Sequence, residues 1–294
     1  MRSLVKDKEA ALGEISLLLA VLFLGTNPVA VKVAVRDVPQ LPFVSLRFVL
    51  AGLVLLALVL LLKEDRPPGR DLLSMAAVGV VGVGLNNIAF TFGVSLTTAS
   101  ETALIYAAVP VWGMILGATL GLERPTLLAI LGVALAFVGV GVVVYSSLGE
   151  GASSFVGDLL VVIATACWAS YAVLSLPLLR RHTPLTIAAY TMLFGGLAAL
   201  PVALPSFFHN SLGAVSSTSW AATAYSTLFV AAYGFFAWQR GVSRIGANRV
   251  LVYQYLITVT GVASGIVFFS EVLGIEKLVG GVVILVGVYL ARRQ

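Results

Sequence analysis

The sequence predicts an all-α polytopic membrane protein, with ten transmembrane helices forming two five-helix repeats of inverted topology. Three observations carry this expectation. Of 294 residues, 60% are hydrophobic and only 11% charged, against roughly 45–50% and about 25% in an ordinary soluble domain. The apolar residues gather in ten stretches of spanning length, and the chain resembles itself at a fixed offset. Soluble, fibrous, disordered and nucleic-acid-binding classes do not fit a mean hydropathy of +1.05. The single cysteine, Cys167, leaves no intrachain disulfide and no cysteine-rich metal site.

A spanning helix needs about 20 mostly apolar residues, because the hydrocarbon core is roughly 30 Å thick. Such stretches occupy 14–35, 42–62, 72–94, 98–121, 126–146, 155–178, 184–206, 217–240, 247–270 and 275–291. Turn chemistry separates them: Arg66-Pro67-Pro68-Gly69, Glu123-Arg124-Pro125, Gly149-Glu150-Gly151, His182-Thr183-Pro184 and the serine-rich 211–219. Met1 to Gly13 is charged and polar, and no small-residue cleavage site follows the first apolar run, so no removable signal peptide is expected. With the N-terminus inside, 14 of the 18 Lys and Arg residues fall in inner loops or termini, Arg36 and Lys277 fall outside, and Lys32 and Arg47 lie within spans. Positive charge accumulates on the cytoplasmic side, which puts both termini in the cytoplasm and the chain in the inner membrane. The basic residues are thus topology signals, and no nucleic-acid partner is expected.

Shifting the chain by 148 residues pairs Gly93-Val94-Ser95 with Gly241-Val242-Ser243 and Ala99 with Ala247. The same shift, without a gap, pairs Gly113 with Gly261, Gly117 with Gly265, Glu123 with Glu271, Gly132 with Gly280 and Gly139 with Gly287. Near the start of each half a shift of 144 pairs Gly13-Glu14 with Gly157-Asp158. The repeats are 1–148 and 149–294. Five spans each is an odd number, so the second copy enters the membrane upside down, an arrangement typical of secondary transporters with a midplane site between the repeats.

The chain resembles the EamA-type ten-helix branch of the drug/metabolite transporter superfamily over nearly its whole length. In the first half the resemblance rests on Leu24-Gly25-Thr26-Asn27 with Lys32, Pro42, Arg47-Phe48, Pro110, Gly121-Leu122-Glu123-Arg124 and Gly132. In the second it rests on Gly157-Asp158, Trp168-Ala169, Trp238 and Ser270-Glu271 with Gly280. Two positions depart from the pattern: Thr258 stands where a proline equivalent to Pro110 is frequent, and Leu24-Gly25 where Trp-Gly is frequent. The resemblance implies export or exchange of small metabolites, often amino acids, without cofactor or metal.

Polar side chains at mid-depth are expensive in hydrocarbon and mark candidate solute contacts. They are Asn27 beside Pro28, Asn86 and Asn87, Tyr106, Trp168 and Tyr171, Tyr233 and Trp238, and Gln254 with Thr258. Adjacent helix residues do not share a face, so only one of Asn86 and Asn87 is expected to face a cavity. Gly113-x-x-x-Gly117 and Gly261-x-x-x-Gly265 read first as close helix packing. Spans five and ten, lacking such groups, read as buttresses. Lys32, Arg47 and Glu101 fall toward the outer side, with two readings: a gate in which Glu101 bridges the cations, or snorkelling of the cations to headgroups.

No Asp, Glu or His stands at mid-depth, which disfavours a deep-carboxylate proton antiporter, and Lys32 and Arg47 look too shallow to serve a phosphate ester. No catalytic motif occurs, so an enzyme is not expected. The expected ligand is a zwitterionic or neutral small solute, amino acids foremost. A sugar-phosphate or nucleotide-sugar exchanger is the alternative, and a membrane enzyme or scaffold a distant one. The lipid bilayer is the other partner, and the chain is expected as a monomer or weak homodimer.

Overall fold

The computed structural model describes residues 15–121, 126–209, 215–245 and 247–291, which are helical with short connections and contain no strand. In chain order the helices are α1 (Ile15–Gly25 continuing as Asn27–Ala34), α2 (Gln40–Leu61), α3 (Gly69–Leu96), α4 (Ala99–Thr119) and α5 (Leu127–Ser146). They continue as α6 (Ala152–Leu179), α7 (Pro184–His209), α8 (217–245), α9 (Ala247–Phe269) and α10 (Ile275–Ala291). Six of them, α2 to α7, are long and apolar enough to cross a membrane, and α1 makes a seventh when its bent halves count as one span.

Burial is reversed relative to a soluble protein. Leu61, Leu127, Val267 and Val272 are 73–91% exposed, while Arg47, Glu101, Asp158, Gln239 and Gln254 are at most 1% exposed. An exposed apolar surface this extensive is stable only against lipid, so the chain is a multi-pass membrane protein.

Glycines set the closest helix crossings, because without a Cβ two backbones approach to van der Waals distance. In the antiparallel pair α2/α7, a Cβ on Gly52 would stand 2.7 Å from the Leu193 nitrogen, and one on Gly196 2.6 Å from the Val49 nitrogen. In the antiparallel pair α5/α10, a Cβ on Gly132 would stand 2.6 Å from the Gly287 oxygen, and one on Gly139 2.7 Å from the Gly280 oxygen. These two helices buttress one flank and take no part in the central pocket.

Three irregular turns shape the middle of the molecule. α1 bends by 41° at Thr26, where Pro28 cannot donate back to the Leu24 carbonyl and the Thr26 hydroxyl bonds the Leu22 carbonyl at 3.0 Å. α3 widens to a π-helix over Val80–Leu85, and α8 does so over Ser226–Phe235. Adding 148 to 80–85 gives 228–233, inside the second π segment. Such turns are rare and concentrate at functional sites. The wide turn of α3 lies against Tyr171, whose Cβ would be only 2.4 Å from a Cβ on Gly82.

Candidate functional site

A pocket lies where the α1 bend, the end of the α3 π turn, and α4, α6, α8 and α9 converge. It offers about 60 Å³ to the centres of water-sized molecules, enough for a few waters at roughly 10–15 Å³ each. Asn27, Asn86, Asn87, Tyr106, Trp168 and Gln254 line it. Asn86 and Asn87 both reach it, contrary to the expectation that adjacency would turn one away. The rounded wall wraps around that edge of α3, and the two amides are joined by a 2.9 Å bond from Asn87 Nδ2 to Asn86 Oδ1.

The other four aromatic and polar positions expected at the site stand outside this wall. Tyr171 stacks on Trp168 with ring centroids 5.5 Å apart and bonds Thr191, while Trp238 packs 6.0 Å behind Trp168. Both back the wall. Thr258 bonds the Gln254 carbonyl at 3.2 Å. Tyr233 points away to the Ser16 carbonyl at 3.1 Å. The π register of α8 turns Phe235 to the pocket in its place. Phe235 and Phe90 were absent from the sequence expectation. They meet Trp168 and Tyr106 edge-on, at 4.8 and 5.4 Å. The signal available for Phe90 is its helical spacing of four from Asn86.

Each polar wall residue is oriented by its neighbours. Asn27 Oδ1 accepts from Arg47 Nη2 at 3.2 Å and from Ser226 Oγ at 3.1 Å. Asn86 Nδ2 donates to the Ala164 carbonyl at 2.6 Å and to the Tyr106 hydroxyl at 3.3 Å. Asn87 Nδ2 donates to the Val83 carbonyl at 2.9 Å. Gln254 is 1% exposed, and neither end of its amide has a hydrogen-bond partner among the described residues.

Arg47 neither snorkels nor meets Glu101. Its guanidinium is fully buried, lies 4.7 Å over the Phe48 ring, and donates from Nε to the Ser226 carbonyl at 3.1 Å. The side chain points inward from the start of α2, which carries it deeper than its sequence position suggests. Glu101 pairs instead with Lys277, which the sequence places in an outer loop but which is buried in the first turn of α10. Lys32 donates to the Thr97 carbonyl. The Thr97 hydroxyl contacts both Glu101 and Asp158, the latter at 2.6 Å. Lys32 therefore joins the Glu101 cluster through Thr97, and the expected direct bridge from Glu101 to Lys32 and Arg47 is replaced by this arrangement.

The same end is closed by α9. Glu271 caps the first turn of α4, accepting from the Ala99 and Ser100 nitrogens at 2.9 and 2.8 Å. A Cβ on Gly265 would meet the Ser100 hydroxyl at 2.4 Å, and one on Gly261 the Ala103 Cβ at 2.6 Å. Close packing is thus present for the second glycine pair. At Gly113 a Cβ would meet nothing within 4 Å among the described residues. Glu123, the repeat partner of Glu271, lies outside the described residues.

The sequence profile of the EamA-like transporter family matches residues 11–145 and again 155–293. The chain belongs to the EamA-like transporter family. Among its relatives, an "uncharacterized transporter" of Archaeoglobus fulgidus is 25% identical over 280 residues, covering 95% of this chain and 98% of its own. A "probable terminal-alkyne amino-acid exporter" of Streptantibioticus cattleyicolor is 30% identical, covering 78% of this chain and 76% of its own. A "probable amino-acid metabolite efflux pump" of Salmonella typhimurium is 27% identical, covering 93% and 92%. A solved protein structure 18% identical superposes with a TM-score of 0.67 over 96% of this EamA-like chain and 97% of its own, which shows a shared fold.

Proposed function

We propose that the protein is a ten-span secondary carrier that exports or exchanges small organic metabolites, amino acids foremost, by alternating access across the inner membrane. The observation that carries this reading is the central pocket, walled by helices of both halves and holding a buried Gln254 whose amide has no hydrogen-bond partner among the described residues. A buried amide without partners costs about 1–3 kcal/mol, which a bound solute relieves.

The contact pattern supports two inverted repeats, 1–148 and 149–294. Under a shift of 144, Val49 and Gly52 become Leu193 and Gly196, and the observed contacts are Gly52 with Leu193 and Gly196 with Val49. Under a shift of 148, Gly132 and Gly139 become Gly280 and Gly287, and the contacts are Gly132 with Gly287 and Gly139 with Gly280. Each contact has its swapped twin, as a two-fold axis demands. Equivalent helices run antiparallel, as inversion requires. The wall contains no lysine or arginine among its lining residues, which weighs against a phosphate ester. The names of the relatives from Streptantibioticus and Salmonella favour amino acids. With the termini cytoplasmic, the end sealed by Glu271, Glu101 and Lys277 faces outward.

Purified protein in liposomes, assayed with a mixed amino-acid panel, tests the proposal. Saturable counterflow of at least one amino acid is the expected result. Exchange restricted to phosphate esters overturns the substrate class, and absence of flux for every solute overturns the carrier.

A further inference from the structure

We propose that the pocket selects solutes by a carboxylate group, and that Arg47 is the positioning residue behind this selection. The proposal rests on the pocket being the solute site.

Several hydrogen-bonding ends of the wall are unused. Asn27 Oδ1 is occupied by Arg47 and Ser226, and a carbonyl oxygen has two lone pairs. The amide nitrogen of Asn27 is left to the pocket, with no acceptor among the described residues. Tyr106 already accepts from Asn86, so its O–H is left to donate. The Trp168 indole is a donor only. Asn86 Oδ1 accepts from Asn87 and keeps one lone pair, and Asn87 Oδ1 has no donor among the described residues, so acceptor capacity is concentrated on α3. Gln254 can turn either end inward. The wall thus presents donors from α1, α4 and α6 and an acceptor from α3. That is the complement of a carboxylate, with a subordinate place for an ammonium.

The wall is also backed by a positive charge. Arg47 is fully buried, no acid is ion-paired with it among the described residues, and its Nη1 has no hydrogen-bond partner. A buried cation without a counter-ion is strongly unfavourable, and its nearest polar link is through Asn27 to the pocket wall. Donors and cation call for the same ligand group, since an anion in the pocket satisfies the donors and compensates the cation.

The repeat supplies a control for the alternative that Arg47 only holds helices together. The shift of 144 carries Asn27 to Tyr171 and Arg47 to Thr191. Those two residues make the equivalent interhelix bond, hydroxyl to hydroxyl at 3.2 Å, with no charge. Structure at this position is therefore met by a neutral pair in one half, and the cation in the other answers a different demand.

The test uses the full chain in lipid nanodiscs, with ligand binding read by tryptophan fluorescence and thermal shift. The probes are leucine, isocaproate (the same chain without the amine), leucinamide and isoamylamine. Leucine and isocaproate are expected to bind at least about tenfold more tightly than leucinamide and isoamylamine, the ratio corresponding to one good charge-assisted contact. Asn27→Asp places a carboxylate against Arg47, neutralises it from within, and reverses the order so that isoamylamine binds better than isocaproate. Arg47→Lys keeps the carboxylate preference in weakened form, whereas Arg47→Gln abolishes it. Isoamylamine matching isocaproate on the parent, no binding of either carboxylate, or an unchanged order in Asn27→Asp each overturns the proposal. Carboxylate binding without flux overturns the carrier reading and leaves this one standing. Equal transport of leucine and leucinamide does the reverse.

Discussion

The crossing of α4 and α9 has two ends related by the repeat, and among the described residues they differ. At one, Gly261 and Gly265 lie against Ala103 and Ser100, and Glu271 caps the start of α4. At the other, a Cβ on Gly113, the equivalent of Gly261, would meet nothing within 4 Å among the described residues. In the alternating-access cycle proposed above, equivalent halves would give two equivalent closures, and the contact of α9 with α4 at Gly261 and Gly265 would be one of them. The difference also locates the charges. The buried Glu101–Lys277 pair, with Thr97 and Asp158 beside it, belongs to the closed end.

The largest effect expected from breaking this asymmetry is at Lys277. Glu101 has no exposure and Lys277 has 5%, so Lys277→Met strands a buried carboxylate. Loss of one member of such a pair costs about 3–5 kcal/mol, while removing both together is far milder. Thermal unfolding of the purified protein is expected to fall sharply for Lys277→Met and to recover largely in the double variant with Glu101→Gln. Additive losses would show that the two charges do not support each other. Transport in Glu101→Gln alone is expected to differ from the parent, because the closed end loses its ionic tie.

Next in size is the contrast between two equivalent glycines. Gly261→Ala puts a methyl 2.6 Å from the Ala103 Cβ, and overpacking of this kind costs about 1–3 kcal/mol. Gly113→Ala meets no atom of the described residues within 4 Å and removes a flexible residue from a helix, a gain of roughly 0.5–1 kcal/mol. Opposite signs of the change in melting temperature are expected. Gly113→Leu sharpens the comparison: it is expected to fold normally yet slow counterflow, because it would occupy the space that a second closure in the proposed cycle requires. Full counterflow in Gly113→Leu would end the two-closure account.

The multi-pass helical architecture was legible because hydropathy sums over about twenty residues and survives local exceptions. Asn27, Asn86, Asn87, Tyr106, Trp168 and Gln254 were legible for a related reason: a polar group in a long apolar run has few explanations. The π turns left no trace, since an i→i+5 register has no residue signature. Tyr233 was therefore assigned to a wall that Phe235 forms. Partnerships of charges were equally hidden. Lys277 and Arg47 sit near helix starts, where sequence depth suggests headgroup contact. Only the fold reveals that Lys277 meets Glu101, 176 positions away, and that Arg47 turns inward to Asn27.

The smallest expected effect concerns an exposed tie at the same closed end, and it bears on how much of that closure is electrostatic. Asp37, between α1 and α2, accepts bonds from the Ser216 nitrogen at 3.2 Å, from the Ser216 hydroxyl and from the Ser219 hydroxyl at 2.8 Å, linking α1 to the start of α8. Those bonds favour the charged form and hold the Asp37 carboxyl below its ordinary range. A depressed carboxyl contributes stability above its unfolded value, near 3.9 for Asp, and loses that contribution as pH falls through the folded value. Lowering the pH from neutral should therefore leave this tie intact until about pH 4 and weaken it below. Full solvent exposure keeps the change small. Asp37→Asn is expected to flatten the acid limb of the melting-temperature profile slightly while leaving the neutral limb nearly in place. If the variant instead loses as much stability at neutral pH as Lys277→Met, the closed end is held at its rim rather than by its buried pair.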